Sequence, residues 1–238
     1  MKATLRVSSV VVLQLIAFCS PANALTFPFT ESFTTDAANW QGERAGDVVI
    51  HHLTGGADGG GYISIDPDLR RPAIDFAGTN GTTVFRANST GSLGSGGAFI
   101  GNWLDAGVSR MQAYVKHDFP TSIEMFVRAV DHPLNSPAVA FFASAVVPPV
   151  TNMENGPWQL VNFEISPDND TPAPGTYFSI LDNVGNVQIG ARIFGTTSTQ
   201  LVNFSIDEVS IVPEPSMVIM ILGTVLGTLP SRRRRISS

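Results

Sequence analysis

From Leu25 to Ile211 the chain repeats one pattern: short stretches of alternating apolar and polar residues, each ended by Gly, Pro, Asn, Asp or Ser, with no long segment at helical spacing. A period of two puts successive side chains on opposite faces of an extended backbone, so this pattern demands strands with one face buried. Ile123, Met125, Val127 and Ala129 read as the buried face of one strand, with Ser122, Glu124, Phe126 and Arg128 on the other. Val161, Phe163 and Ile165 form a second buried set. Tyr177 to Leu181 and Val187 to Ile193 flank Asp182-Asn183-Val184-Gly185-Asn186 and read as a hairpin. Ala138 to Val147, apolar throughout, reads as a central strand buried on both faces. Strand spacing of about ten residues, without a longer internal repeat, predicts an all-β fold: a single antiparallel β-sandwich of jelly-roll type over residues 25–211.

Composition supports that reading. Hydrophobic residues make up 43% and aromatics 9%, too much apolar surface for a disordered chain, while 22 Gly and 16 Pro suit many turns. The 14 basic residues are concentrated at the ends. Setting aside Lys2, Arg6, Arg232, Arg233, Arg234 and Arg235 leaves eight, against 19 of the 20 acidic residues once Glu214 is set aside, so the middle carries a formal charge of −11. Such a surface repels phosphate backbones and argues against nucleic-acid partners. The one cysteine, Cys19, lies in the apolar N-terminal run, so no disulfide framework is expected. It follows Phe18, where a lipoprotein signal needs a small residue.

The two ends read as addresses. Lys2 and Arg6 precede the apolar run Val10 to Phe18, and Ala22-Asn23-Ala24 supplies a small-x-small site, so residues 1–24 are expected to be a signal peptide cut by signal peptidase after Ala24. Residues 212–238 open on Val212-Pro213-Glu214-Pro215, continue through the apolar stretch Met217 to Leu229, and close on Arg232 to Arg235. Prolines at 213 and 215 are expected to prevent a regular strand or helix and to keep Glu214 accessible. At a helical rise the apolar stretch is about 20 Å long against a hydrocarbon core of about 30 Å, so a membrane helix here needs local thinning or snorkelling arginines. The basic cluster orients the preceding domain outward. This order of motif, apolar segment and basic tail resembles the PEP-CTERM sorting signal of Gram-negative bacteria. The resemblance implies recognition by an exosortase-type transpeptidase, membrane anchorage before processing, and a place at the cell surface or in an extracellular matrix with exopolysaccharide.

Phe29-Thr30-Glu31-Ser32-Phe33, Trp40, the run Gly55 to Gly61 leading into Tyr62-Ile63-Ser64, and Phe204-Ser205-Ile206-Asp207-Glu208-Val209 together resemble exported carbohydrate-binding-like jelly rolls and bacterial relatives of the laminin B domain. The resemblance implies that first and last strands lie side by side, and that Glu31 and Asp207, helped by Asp58 and loop carbonyls, are candidate ligands of a structural calcium ion. Calcium takes six to eight oxygens, so two carboxylates would not suffice. The alternation Val202, Phe204, Ile206 also loses phase before Val209 and Ile211, which predicts a β-bulge near Asp207 and Glu208.

Other chemistry is thinly signalled. Asp168-Asn169-Asp170 lacks the Gly and distal Glu of an EF-hand loop. His51 and His52 are strand neighbours that point to opposite faces and cannot share one metal ion. No Gly-x-Ser-x-Gly elbow or paired-carboxylate signature appears, so no catalytic residue is assigned and a polysaccharide hydrolase is the least favoured function. Sugar binding would use aromatic rings as platforms, with Trp40, Trp103, Trp158 and Tyr114 as candidates. The expected function is a non-catalytic surface or matrix protein contacting exopolysaccharide; the alternative is a purely structural envelope or adhesion protein.

Overall fold

The computed structural model describes residues 28–42, 47–65, 80–89, 92–119, 121–131, 140–148, 157–169, 176–193 and 203–214. Residues 1–24, expected to be a signal peptide, with Ala22 and Ala24, as well as Pro215, the apolar stretch and Arg232 to Arg235, lie outside the described residues. Among those described, the strands are β1 (Phe29–Glu31), β2 (Gln41–Gly42), β3 (Ile50–His52), β4 (Tyr62–Ile65), β5 (Asn80–Arg86), β6 (Asn88–Ser89), β7 (Ser92–Leu93), β8 (Val108–His117), β9 (Ile123–Asp131), β10 (Ala140–Val147), β11 (Gln159–Glu164), β12 (Val184–Ile193) and β13 (Phe204–Pro213). One short helix, α1 (Thr176–Leu181), and two 3-10 turns complete the set. No helix among them is long and apolar enough to cross a membrane.

Two antiparallel sheets form a sandwich. One has the order β11-β8-β13-β4-β3, with β1 also paired to β13; the other has the order β10-β9-β12-β5-β2. Period two decides what lies between them. Ile63, Ile65, Met111, Ala113, Val115, Phe163, Phe204 and Ile206 from the first sheet meet Phe85, Met125, Val127, Ala129, Val187 and Ile189 from the second in one buried core. Phe85 and Phe204 pack with ring centroids 5.3 Å apart. One end is closed by aromatics of β1 and the loops in edge-to-face contact: Phe33 on Trp40 at 5.8 Å, Trp40 on Phe99 at 5.6 Å, Phe29 on Phe99 at 5.2 Å.

The last strand organises the first sheet. β8 lies along one edge of β13, while the other edge is shared by β4, opposite Phe204 to Ile206, and β1, opposite Val209 to Ile211. The register shifts between Asp207 and Ser210, and Glu208 takes φ +45°, so the expected bulge falls where β13 changes neighbours. First and last strands are adjacent, as the jelly-roll resemblance implied.

Three sequence readings need correction. Tyr177 to Leu181 is helical, not a strand: Tyr177, Ile180 and Leu181 are buried, a spacing of three and four, and Asp182 N–H bonds the Phe178 carbonyl at 3.0 Å. The Asp182-Asn183 turn therefore joins a helix to β12. Ala140–Val147 is an edge strand among the described residues, not a central one; of the described strands it pairs with β9 alone, and Val146 is 73% exposed. Its uniform apolar character hid which face was buried. Finally, β13 runs through Val212 and Pro213, and Glu214 N–H still bonds the Gly107 carbonyl at 2.9 Å. Pro213 ends the ladder at a register shift, a position where the missing N–H is tolerated, so the proline did not bar the strand from entering the Val212-Pro213-Glu214-Pro215 segment.

Candidate functional site

Asp207 stands at the neighbour switch of β13. It is buried, its Oδ2 accepts from Ala57 N–H at 2.7 Å and its Oδ1 from Glu208 N–H at 2.7 Å. The first bond pins the Gly55–Gly61 loop over the outer face of the sheet; the second holds Glu208 in its left-handed conformation. Gly56 has no alternative here, because a Cβ would stand 2.5 Å from Asp207 Oδ2. Burial pushes the Asp207 carboxyl up to about 6, against the two amide bonds, and the nearby carboxylates of Asp58 and Glu208 push it the same way. Asp58 is exposed and accepts from Gly60 N–H at 2.6 Å. Glu31, opposite Val209, accepts from Phe33 N–H at 3.0 Å.

The candidate calcium ligands thus lie around one bulge, but each serves a backbone amide. Among the described residues no group of three or more His, Cys, Asp or Glu could hold a metal ion. His51 and His52 serve opposite faces, His51 bonding the Phe33 carbonyl at 2.7 Å and His52 bonding Ser64 Oγ at 2.8 Å.

Two of the four aromatic candidates are corrected. Trp40 and Trp103 are core: Trp40 Nε1–H bonds Ser95 Oγ at 2.8 Å, and Trp103, fully buried, bonds the Phe99 carbonyl at 3.1 Å. Each ring fills an end of the sandwich with its N–H satisfied, so neither offers a platform. Trp158 and Tyr114 are partly exposed. Trp158 donates to the Gly55 carbonyl at 2.9 Å and packs edge-on to Tyr62 at 5.3 Å; Tyr62 in turn stacks on His52 at 4.2 Å. Tyr114 sits between Asp207 and Leu160 in register. Sequence reading missed Tyr62 and His52 because only the pairing of β3 with β4 sets them opposite each other.

The opposite outer face, on the second sheet, carries a row that no single strand reveals. Gln41 is opposite Arg86, Arg86 opposite Gln188, and Gln188 opposite Arg128. Directly opposite residues share a face, and Phe85, Val187 and Val127 beside them enter the core, so this amide–guanidinium–amide–guanidinium row lies across four strands on the side of the sheet away from the core. At ordinary strand spacing it is about 14 Å long. Gln188 is buried, and its Oε1 accepts from Arg128 Nε at 2.7 Å and from Arg128 Nη2. Two residues along, Phe126 lies over Gly190, and beyond it Arg192 pairs with Glu124. The sequence reading did place Glu124, Phe126 and Arg128 on one face; the rest of the row needed the register.

No family model matches the chain, and no curated protein matches its sequence. Solved structures do match. An exo-β-agarase aligns at TM-score 0.50 and 12% identity over 79% of this chain and 25% of its own. The CBM22-1 and GH10 modules of a Clostridium thermocellum endo-1,4-β-D-xylanase, complexed with xylohexaose, align at 0.45 and 14% over 79% and 28%. The family 11 carbohydrate-binding module of a Clostridium thermocellum cellulosomal cellulase aligns at 0.46 and 11% over 78% and 94%. The chain spans about a quarter of the length of the first two. At these identities the likeness to the agarase is one of fold, and it agrees with the two-sheet sandwich described above.

Proposed function

We propose that the chain is an exported, non-catalytic carbohydrate-binding sandwich whose ligand lies along the outer face of the five-stranded sheet. The observation that carries this reading is the row Gln41, Arg86, Gln188 and Arg128. Sugars present hydroxyl pairs along a chain. Planar amides and guanidiniums address such pairs with two groups at once, and side chains fixed on adjacent strands need little ordering when they bind. Gln188 is fixed by Arg128, so both keep their orientation without a ligand. Carbohydrate-binding modules among the solved structures above share the sandwich form, in agreement with this reading.

Affinity electrophoresis of the purified protein against a panel of exopolysaccharides tests it. Gln188→Ala, which removes the group that orients Arg128, is expected to weaken retardation about tenfold. Retardation unchanged in this variant would move the ligand off this face. Trp158, Tyr62 and His52 on the other sheet offer a second surface, since a partly exposed indole beside a stacked pair is the kind of platform a pyranose covers. A folded protein that binds no glycan would favour the structural envelope role.

Export and sorting belong to the same proposal. Lys2, Arg6 and Ala22-Asn23-Ala24 support removal by signal peptidase, and Val212-Pro213-Glu214-Pro215 with the apolar segment and Arg232 to Arg235 supports an exosortase-type enzyme, a membrane-held precursor and a surface or matrix destination. Fractionation in a host lacking the sorting enzyme is expected to find the chain membrane-bound without residues 1–24. Cytosolic chain still bearing Met1 would overturn this.

A further inference from the structure

Three segments distant in the chain meet on the outer face of the six-stranded sheet: the bulge of β13, the Gly55–Gly61 loop and the start of β11. The loop is closed on itself, with Gly56 N–H bonding the Gly60 carbonyl at 2.9 Å and Gly59 N–H bonding the Gly56 carbonyl at 3.0 Å. Toward the sheet its Ala57 N–H bonds Asp207 Oδ2, and at its start the Gly55 carbonyl accepts from Trp158 Nε1–H. Tyr62, which follows the loop directly, packs edge-on to the same indole. The carboxylate therefore holds the loop, and the loop holds the ring.

Exposure separates the two roles. Asp207 is fully buried, so a ligand on the surface does not touch it. Trp158 and Tyr114 are partly exposed, and Leu160, opposite Tyr114 in register, is 48% exposed. A loose indole gives up rotamer freedom when a sugar ring covers it, whereas one already held gives up little, and affinity rises by the difference. The chemistry of the anchor also matters. Asp207 receives an N–H on each oxygen, from Ala57 on one and Glu208 on the other, and an asparagine would turn its own NH2 toward one of these donors.

We infer that Asp207 is the positioning residue of a glycan platform centred on Trp158, setting the indole in place through the Gly55–Gly61 loop without touching the ligand. The inference rests on the sugar-binding reading of this second surface and adds to it the buried residue on which the surface depends.

The test has one arm with glycan and one without. Affinity electrophoresis of the purified protein is run in a soluble β-1,4-glucan, a soluble β-1,3-glucan and a soluble β-1,4-xylan. Asp207→Asn is expected to weaken binding to the glycan that retards the parent by about two- to tenfold, and to have no further effect when Trp158→Ala is already present. Without glycan, Asp207→Asn should raise acrylamide quenching of tryptophan emission; Trp40 and Trp103 are buried, so the change reports Trp158 and should vanish in Trp158→Phe. Ala57→Pro, which removes the loop's donor and leaves the bulge as it is, should reproduce both effects in a variant with Asp207 intact. Independent, additive losses in the double variant, or quenching unchanged in both Asp207→Asn and Ala57→Pro, would overturn the positioning role. A parent that binds none of the three glycans, while quenching rises in the two variants, would leave the positioning of the indole standing and overturn the sugar-binding reading of this surface.

Discussion

Phe126 lies across Gly190 on the neighbouring strand, with its ring in the space a Cβ would need: an added Cβ would fall 2.2 Å from the ring's Cζ. Phe126 faces outward by register yet is only 2% exposed. The missing side chain at 190 is what lets a large ring lie flat between the Gln188–Arg128 and Arg192–Glu124 pairs. Gly190→Ala is expected to lower stability by about 1–3 kcal/mol by overpacking, read as a reduced urea midpoint at unchanged slope. Adding Phe126→Ala should recover part of that loss, and strict additivity would show that the ring and the glycine do not depend on each other.

Trp103 and Trp158 separate core from surface. Trp103→Ala removes a fully buried indole and is expected to cost about 3–5 kcal/mol in denaturant unfolding. Trp158→Ala removes a partly exposed ring and should cost less than half as much. Similar losses in the two variants would contradict their placement.

Acid acts on two groups in opposite directions. His117 is buried, accepts from Phe119 N–H at 3.2 Å through Nδ1 and bonds the Pro148 carbonyl at 3.2 Å through Nε2, an arrangement that suits the neutral ring. Burial lowers its pKa, against the Pro148 carbonyl and Asp118. Its stabilisation is present above the ordinary histidine range and is lost as pH falls through the lowered value. Asp207, raised to about 6, does the reverse: it favours the fold below the ordinary aspartate range, and that contribution is lost as pH rises through about 6. Melting followed from pH 4 to pH 7 should therefore gain a steeper upward slope with pH in Asp207→Asn and a shallower one in His117→Gln. Parallel curves for both variants and the parent would refute the assignment.

Calcium gives a direct check on the loop held by Asp207. Both oxygens of this carboxylate accept backbone amides, so a chelator is expected to leave the melting temperature unchanged. A chelator-dependent fall, reversed by added calcium, would instead give Glu31, Asp58 and Asp207 the metal role that the jelly-roll resemblance implied.

How much was legible follows from the physics of each element. The buried faces of β9 and β11 could be read directly, because alternation with one solvated face leaves a clear mark. The bulge at Glu208 could be read too, since one extra residue reverses the phase of everything after it. The helix at Thr176–Leu181 could not, because six residues are too few to distinguish a helical stripe from an apolar run. Trp40 and Trp103 were ambiguous for another reason: an indole is equally at home in a core and under a sugar, and nothing local distinguishes the two.

Sequence by itself determined that this chain makes half-buried strands, that its acidic middle lies between two ends that pair apolar runs with basic residues, and where its last strand breaks register. These are properties of neighbours along the chain, set by side-chain period and local charge. Tertiary structure alone decided that Gln41, Arg86, Gln188 and Arg128 form one row and that Asp207 holds a loop 150 residues away in sequence. Such relations depend on which strands pair and in what register, a choice made by the whole core at once.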